Sequence, residues 1–429
     1  MNAPSGEEPP DCSRLTPGGA DVLVVSQPID GGTCHHILHL VDSLDQAKFS
    51  ITVACPANSE LWKALEPIGR VRRFAINGGR RPALADLGSF LRLLPLVAHA
   101  DIIHAHSSKA GCLARLAAVI TGRSSSCVFT PHGWSFWAFR GWRHRLLVSL
   151  ERLAARWCRS IIAVSAFERD AGLQRRIGRP EQYRVVPNGI MLERFDRCRR
   201  PVDGRVMFVG RLADQKRPDL AIRALAILRE RRPGAHLEMA GDGPLRQPTE
   251  RLVSDMGLSH AVRLLGSRND VAELLSRASC LLLTSSYEAC PLSALEGMAA
   301  GVPVLATRFG GVSEIIDDGR TGRIVDPDPR AIADALETLL LDALGARVIG
   351  AAGQAEVQRR FSRDRMAAET AAVYEEIIAS APSEGRRRSR YVDASCRGNK
   401  SEACPHAVGA SRPSRKVSVA WAEPDSPMA

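Results

Sequence analysis

The sequence predicts an α/β protein with two Rossmann-like domains that face each other across a cleft, and a disordered C-terminal tail. Short apolar runs typical of buried parallel strands alternate with helical patterns, and this alternation starts near Asp21 and again at Arg205. The length of 429 residues also exceeds that of one typical domain. Because ligands bind at the carboxyl ends of such strands, the cleft is the expected active site.

Strands are expected where short apolar runs stand between turn residues, and helices where apolar residues recur three or four positions apart. The expected strands are 21–25, 50–54, 71–76, 102–105, 127–130, 160–164, 183–186, 205–209, 235–240, 262–265, 280–284 and 304–306. The expected helices are 33–44, 85–99, 109–121, 142–157, 165–177, one ending near 231, 245–256, 270–278, 291–300, 329–341, 344–357 and 362–378.

Composition divides the chain further. The charged stretch from Arg194 to Asp203 predicts an interdomain linker. The last segment is rich in Ser, Pro, Gly and Arg, which predicts a disordered basic tail. The predicted segments are a disordered N-terminus at 1–19, a first domain at 20–195, a second domain at 196–360, a helix crossing the domains at 361–381, and the tail at 382–429.

Charge and cysteine usage limit the function classes. A net charge of +11 favours anionic partners, although a generally arginine-rich proteome would give the same balance. The eleven cysteines form no CxxC pair, and residues 1–19 lack the apolar stretch of a secretory signal. No apolar run approaches the ~20 residues of a membrane span. These features predict reduced thiols in a cytoplasmic protein.

The most informative stretch is 284–298. The apolar run 280–283 predicts a buried strand, and Pro291 suits the first position of the helix that follows. A helix that begins after such a strand presents free N–H groups and a positive dipole end, which bind phosphate. Glu288 and Glu296 stand on either side of this helix start, where they can hold hydroxyl groups.

Two further turns fit an anionic ligand. Gly31 and Gly32 follow the first strand, where they allow close approach to the backbone, although a plain tight turn explains them equally well. Gly210, Arg211 and Lys216 follow the first strand of the second domain. Fixed cations at this position stabilise negative charge that develops on a phosphate leaving group.

Taken in order, these stretches resemble those of a GT-B glycosyltransferase of family 4, over about residues 21–380. Their order and spacing are more specific than any one of them. The matching stretches are Gly31-Gly32, His104-Ala-His106 with Lys109-Ala-Gly111, Thr130-Pro-His132-Gly133, Val164-Ser165, Val186-Pro-Asn188-Gly189-Ile190, Gly210-Arg211 with Lys216, Gly241-Asp-Gly243-Pro244, Leu265-Gly266, and Glu288-x7-Glu296 followed by Ala300-Gly301-Val-Pro303-Val.

The resemblance implies a role for each residue. Arg211 and Lys216 would bind the diphosphate, Glu296 the ribose hydroxyls, and Glu288 the hydroxyls of the transferred sugar. His132 would hydrogen-bond the donor sugar near the reacting centre. The implied catalytic residues are His132, Arg211, Lys216 and Glu288. The implied donor-binding residues are Gly31, Gly32, Gly210, Arg211, Lys216, Cys290, Pro291, Leu292, Ser293 and Glu296. The implied acceptor-side residues are His104, His106 and Lys109.

One departure and two metal-like patterns qualify these roles. Ala289-Cys290 replaces the Gly-Phe or Gly-Leu pair that is commoner in the family, so the identity of the sugar is not predicted. His104 and His106 form an HxH pair, but the sequence supplies no third ligand and the family is metal-independent. Asp328 is expected to be a helix N-cap rather than part of a metal-binding DxD motif. The expectation is therefore no metal and no cofactor.

Residues 134–157 interleave aromatic residues with arginines. This composition is typical of a segment that lies at a membrane surface, and it equally suits aromatic residues that pack in the first domain's core. The surrounding fold gives no support for nucleic-acid binding. The sequence therefore predicts either a peripheral membrane contact or part of the core.

The resemblance implies a retaining, metal-independent transferase that moves a hexose-type sugar from a nucleoside-diphosphate sugar to a hydroxyl acceptor. A lipid-linked glycan of a surface polysaccharide is the expected acceptor, which would place the protein in the cytoplasm at the inner face of the membrane. Two alternatives stay open: a nucleotide-sugar epimerase of the same architecture, and a non-catalytic nucleotide-sugar binder.

Overall fold

The computed structural model describes residues 19–28, 30–79 and 83–380. The segments predicted to be disordered, 1–19 and 382–429, lie outside these residues except for Gly19. The described chain forms two parallel sheets of seven and six strands, with helices connecting the strands. The predicted α/β class with two Rossmann-like units is confirmed.

The first sheet has the strand order β3-β2-β1-β4-β5-β6-β7. Its strands are β1 (Ala20–Ser26), β2 (Phe49–Cys55), β3 (Arg72–Ala75), β4 (Ile102–His106), β5 (Cys127–Thr130), β6 (Ser160–Ala163) and β7 (Tyr183–Val185). Its helices are α1 (Gly32–Ser43), α2 (Glu60–Leu65), α3 (Ala85–His99), α4 (Ser108–Ile120), α5 (Gly141–Ala154) and α6 (Ala166–Gln174).

The second sheet has the strand order β10-β9-β8-β11-β12-β13. Its strands are β8 (Arg205–Val209), β9 (His236–Ala240), β10 (Val262–Gly266), β11 (Cys280–Leu283), β12 (Val304–Thr307) and β13 (Arg323–Val325). Its helices are α7 (Pro218–Arg231), α8 (Arg246–Asp255), α9 (Val271–Ser276), α10 (Leu292–Ala299), α11 (Val312–Ile315), α12 (Pro329–Leu341) and α13 (Ala343–Arg360).

Strand β1 shows why the first sheet is covered on both faces. Successive side chains of a strand point to opposite faces. Leu23 and Val25 accordingly pack with the layer of α3, α4 and α5, whereas Val22 and Val24 pack with α1 and α2. All four side chains are buried, so the strand appears in the sequence as a continuous apolar run.

The last helix, α14 (Arg363–Ser380), returns to the first sheet. Its start lies beside the segment between β7 and β8. There the Ile190 N–H donates to the Phe361 carbonyl at 2.9 Å, and the Ile190 carbonyl accepts from the Arg363 N–H at 3.0 Å. Further along, Met366, Val373 and Tyr374 are buried against α1 and its neighbouring strands. The helix therefore forms part of the first unit's core.

Differences from the sequence expectations are confined to short elements. Strand β13 and helices α2 and α11 were not expected, because they have three to six residues and too few positions to show a period. Pro291 is the N-cap of α10 rather than its first residue, so the helix begins one position later than predicted. The Asp328 carboxylate caps α12 through the N–H groups of Arg330 and Ala331, as predicted.

We predict that Gly189→Ala destabilises the protein by about 2 kcal/mol or more, as overpacking against backbone does. A Cβ atom at Gly189 would lie 2.4 Å from the Ser362 carbonyl oxygen and 2.7 Å from the Arg363 Cα. The measurement is the urea or thermal unfolding midpoint. Gly234→Ala is the control, because an added Cβ there meets no heavy atom within 4 Å. Equal midpoints for the two variants would contradict the packing.

Candidate active site

The candidate site lies where the strand order of each sheet reverses, between β1 and β4 in the first sheet and between β8 and β11 in the second. Ligands bind at such switch points, beyond the carboxyl ends of the strands. Gly31 and Gly32 follow β1 and begin α1. The stretch 210–216 follows β8, and the stretch 284–291 joins β11 to α10. The predicted donor-binding residues therefore come from the loops at both switch points.

The β11–α10 loop presents the start of a helix, as predicted. Pro291 is extended, with φ −70° and ψ 123°, and Leu292 begins the helix. The N–H groups of Leu292 and Ser293 have no carbonyl within the helix to bind, because a helix leaves its first N–H groups unpaired. The Ser293 hydroxyl is buried and meets no hydrogen-bond partner among the described residues.

The glycine-rich turn of the first unit reaches this helix start. A Cβ atom placed on Gly32 would lie 3.7 Å from Cδ1 of Leu292. Gly31 has φ +89°, a conformation that favours glycine. The structure thus brings Gly32 close to the start of α10, although 260 positions separate Gly32 from Leu292 in the sequence.

Lys216 forms an ion pair with Glu288, which lies in the loop between β11 and α10. Lys216 Nζ lies 2.5 Å from Glu288 Oε1, and the side chains are 17% and 11% exposed. The Ser285 hydroxyl donates to the same carboxylate oxygen at 3.1 Å. Gly210 makes room for the lysine, since a Cβ atom there would lie 3.3 Å from Lys216 Cε. The predicted diphosphate-binding and sugar-binding residues therefore meet at one point.

Glu296 lies on α10 and faces the same cleft. Burial raises the pKa of its carboxyl above the ordinary value, while the nearby His35, Arg194 and Lys216 lower it. These neighbours come from α1, from the segment after β7 and from the β8 loop. Arg211 is half-buried beside Gly243, where a Cβ atom would lie 3.1 Å from Arg211 Cγ. The acid is therefore positioned among basic groups of both units.

His132 belongs to a group of three histidine rings on the opposite wall. It occupies the turn after β5 with φ +55°, which is uncommon for a residue other than glycine. Its Nε2 lies 2.9 Å from Nδ1 of His106, and its ring centroid is 4.5 Å from that of His36. Burial lowers the pKa of His36 to about 4 and holds the pKa values of His106 and His132 well below 6.5. All three rings are therefore neutral near pH 7.

Of the three predicted acceptor-side residues, His104 and His106 lie side by side with ring centroids 4.0 Å apart, but their hydrogen-bond partners differ. Both ring nitrogens of His104 are used, by the Tyr374 hydroxyl at 2.6 Å and the Thr130 hydroxyl at 2.8 Å. Lys109 pairs with Asp86 at 2.9 Å, close to the start of α3. His106, one pleat nearer the strand end than His104, is the residue of the three that contacts His132. The sequence does not show which of His104 and His106 lies nearer the cleft, because their depth in the sheet depends on the register between β4 and β5.

Two site residues were missed by sequence reasoning. His36 stands one turn after Gly32 on the buried face of α1, and Asn188 was noted in its motif without a role. His36, His106 and His132 offer ring nitrogens within 4.8 Å of one another, so they could hold a transition-metal ion. This trio differs from the HxH pair of the sequence. The local signal for His36 is a group of histidines, His35, His36 and His39, on an otherwise largely apolar helix.

The basic aromatic segment divides into two parts. Trp134 and Phe136 are buried in the core of the first unit, so for them the core interpretation is confirmed. Phe139 and Trp142 are exposed, the latter by 69%. From Trp142 onward, α5 presents an apolar stripe at helical spacing, formed by Trp142, Leu146, Leu150 and Leu153. Among the described residues no helix combines the length and hydropathy that crossing a bilayer requires.

Two doubly wound parallel sheets, with site residues supplied by both switch points, define a GT-B fold. Family models match the chain in succession: Glycosyltransferase Family 4 over residues 30–194, and Glycosyl transferases group 1 over residues 195–356. EpsD of Bacillus subtilis (strain 168), a protein named as a glycosyltransferase, is 31% identical over 292 residues, covering 64% of this chain and 76% of EpsD. The chain belongs to glycosyltransferase family 4 and is an enzyme of that kind.

Two other similar proteins bear on the site. The UDP-Gal:alpha-D-GlcNAc-diphosphoundecaprenol alpha-1,3-galactosyltransferase of Escherichia coli is 27% identical over 319 residues, covering 70% of this chain and 82% of that enzyme. HepE of Anabaena, solved in complex with UDP-glucose, matches with a TM-score of 0.73 and 22% identity, covering 83% of this chain and 99% of HepE. The HepE match supports the fold.

We predict that the buried histidines make the protein sensitive to mild acid. Burial lowers the pKa of His39 and His104 from 6.5 to about 3. Below pH 6.5 the unfolded chain therefore binds protons that the folded chain does not, so the free energy of unfolding falls as the pH falls. Each such histidine contributes up to about 1.4 kcal/mol per pH unit, a slope that is approached as the pH falls towards about 5. Urea midpoints measured between about pH 7 and about pH 5 test this slope.

His104→Gln is the informative variant, because a neutral amide can replace Nε2 beside Thr130 but does not titrate. It should give a shallower pH dependence than the wild type, whatever its absolute stability. The exposed His99, replaced by Gln, is the matched control and should leave the slope unchanged. Identical slopes in all three proteins would show that His104 is not held neutral.

Proposed function

We propose that this enzyme is a retaining, metal-independent transferase that moves a hexose from a nucleoside-diphosphate sugar to a hydroxyl of a lipid-linked glycan. One observation carries the proposal. The Lys216–Glu288 ion pair lies next to the start of α10, on the wall of the cleft opposite His132. Cations and N–H groups on one wall suit a diphosphate, and a neutral imidazole on the other suits sugar hydroxyls.

A uridine nucleotide is the proposed donor class. HepE was solved with UDP-glucose, and the Escherichia coli relative is named for UDP-Gal. In this chain Lys216, Arg211 and the N–H groups of Leu292 and Ser293 would hold the diphosphate. Glu296 would accept hydrogen bonds from the ribose, and Glu288 would accept them from the sugar. Because Nε2 of His132 is engaged by His106, the sugar would meet Nδ1 of His132.

The proposed step is attack on the face from which the diphosphate leaves. The bond between the anomeric carbon and the phosphate oxygen breaks, and its electron pair stays on that oxygen. The acceptor hydroxyl oxygen forms the new bond to the same face of the carbon, and its proton passes to the leaving phosphate oxygen. Lys216, Arg211 and the α10 dipole stabilise the charge on the diphosphate without a metal ion.

We predict that Lys216→Ala weakens UDP binding roughly ten- to a hundredfold, equivalent to about 1.5–3 kcal/mol for hydrogen bonds to a charged group. Calorimetry with UDP measures the dissociation constant, and Glu296→Ala should weaken binding through the ribose. Lys48→Ala is the control, since Lys48 pairs with Glu375 on the surface. Unchanged UDP affinity in Lys216→Ala would contradict the proposed diphosphate site. Loss of activity in excess chelator would contradict metal independence.

The product distinguishes this proposal from its alternatives. Transfer from UDP-glucose or UDP-galactose with an unchanged anomeric configuration, read by proton NMR, is the expected result. Isomerised sugar without an acceptor would indicate an epimerase. Tight UDP binding without turnover on any lipid-linked acceptor would indicate a binder.

The proposed acceptor is lipid-linked, so we propose that the outer face of α3, α4 and α5 contacts the membrane. These helices lie side by side on one face of the first sheet. The exposed apolar residues of this face are Leu84, Leu87, Leu91, Val119, Ile120, Phe139, Trp142, Leu146, Leu150 and Leu153. The exposed arginines of the α5 region are Arg140, Arg143, Arg145, Arg152 and Arg156.

The charge of this face is one-sided. Residues 83–157 contain three acidic residues, Asp86, Asp101 and Glu151. Asp86 and Glu151 are buried and neutralised by Lys109 and Arg115. Apolar side chains surrounded by arginines, with almost no carboxylate exposed, match the headgroup region of an anionic bilayer. The expected location is therefore the inner face of the membrane.

We predict that the protein co-sediments with anionic vesicles at low salt. The double variant Trp142→Glu with Leu146→Glu should lose most of this binding, because two charged side chains replace apolar side chains that would enter the bilayer. Leu344→Glu is the control, since Leu344 is 72% exposed on α13, away from this face. Failure of the wild type to sediment, or equal sedimentation of both variants, would contradict the membrane surface without bearing on UDP binding.

A further inference from the structure

The Asn188 side chain connects the two walls of the candidate site. It lies just after β7 and is 6% exposed. Its amide nitrogen Nδ2 donates to the Cys290 carbonyl at 2.6 Å, and its oxygen Oδ1 lies 2.9 Å from Nδ1 of His36. Because a carbonyl can only accept, the amide orientation is determined, and Oδ1 must accept from His36. His36 therefore carries its proton on Nδ1 and leaves Nε2 unprotonated.

On the histidine side, the hydrogen bond to Asn188 fixes the orientation of the His36 ring, which packs against His132. The rings of His36 and His132 meet edge to face, with centroids 4.5 Å apart and an interplanar angle of 71°. His106 also contacts His132, through the 2.9 Å hydrogen bond, and its ring centroid lies 5.5 Å from that of His36. His132 thus packs with both rings in one cluster, and Asn188 determines the orientation and tautomer of the His36 ring.

On the donor side, the contact holds the peptide that precedes α10. Cys290 stands directly before Pro291, the N-cap of that helix, and two positions after Glu288. Gly311 confines the same loop from another direction, since a Cβ atom there would lie 2.3 Å from the Ala289 carbonyl oxygen. The carbonyls of Ala289 and Cys290 are therefore both fixed from outside the loop, at the two positions where this chain departs from the commoner family pair.

Asn188 is itself held by the first unit. The next residue, Gly189, donates its N–H to Sδ of Met366 at 3.1 Å and accepts from Nδ1 of His39 at 3.0 Å. Met366 is on α14 and His39 is on α1. The backbone at Asn188 therefore moves with the first unit, while its side chain holds a loop of the second.

We propose that Asn188 is a positioning residue for sugar transfer, which fixes the distance between the donor loop and His132 through Cys290 on one side and His36 on the other. This inference rests on the proposed function, because it assigns the contact a part in that reaction. The UDP-binding residues Lys216, Arg211 and Glu296 all belong to the second unit. Loss of Asn188 should therefore affect transfer far more than nucleotide binding.

The test compares Asn188→Ala with two His36 variants. An asparagine at position 36 can place an amide N–H where Nδ1–H was, whereas a glutamine replaces Nε2 and loses the donor to Asn188. We expect Asn188→Ala and His36→Gln to lower kcat about 10- to 100-fold with less than about a threefold change in the UDP dissociation constant. His36→Asn, which keeps the donor to Asn188, should retain more kcat than His36→Gln, with a similarly small change in the UDP dissociation constant.

Nitrogen-15 spectra of labelled histidines supply a readout that needs no turnover. The wild type should show His36 as the Nδ1–H tautomer, and Asn188→Ala should change that tautomer and shift the His132 resonances. A wild-type His36 protonated on Nε2 would overturn the proposal. Equal losses of kcat and UDP affinity in Asn188→Ala, or an active His36→Gln beside an inactive His36→Asn, would also overturn it. If the wild type transfers no sugar, the proposed function fails. The nitrogen-15 spectra then still show whether Asn188 determines the tautomer of His36.

Discussion

The relative position of the two cleft walls depends on the backbone pairing at Ile190. The chain leaves the first unit through Asn188 to Ile190 and returns to it at Ser362, and the two passages are hydrogen-bonded side by side. Gly189 allows this because no Cβ separates its backbone from Ser362. One edge of the cleft is therefore a double crossing, and further contacts join the walls beyond it, among them Gly32 with Leu292 and Asn188 with Cys290.

The two walls have different electrostatic character. The second unit contributes charged groups: Arg211, Lys216, Glu288 and Glu296. The first contributes the rings of His36, His106 and His132, which burial keeps neutral. In the proposed reaction, neutral rings would exchange hydrogen bonds with sugar hydroxyls without competing with Lys216 for the diphosphate. Dipoles and charges fixed before the substrate arrives need no reorganisation during the reaction.

Local sequence patterns predicted where several candidate residues lie relative to the strands. Gly210, Lys216 and Glu288 follow buried strands, and a strand, turn and helix in succession bring such residues to one sheet edge. The contact between His36 and Asn188 spans 152 positions and has no local signal. His104 and His106 also looked equivalent in sequence, because both point to the same face of β4. Their different depths, and hence their different partners, appear only when β5 and α14 are in place.

Helix α14 completes the core of the first unit, so this unit contains residues from both ends of the described chain. Tyr374 fills its core and bonds to His104, which lies 270 positions earlier. During synthesis the strands of this unit emerge from the ribosome long before the helix that covers them. Until residues 363–380 are available, the apolar surface of α1 that will contact Met366 and Val373 stays open to solvent. The order of translation thus leaves the first unit incomplete until the second has been made.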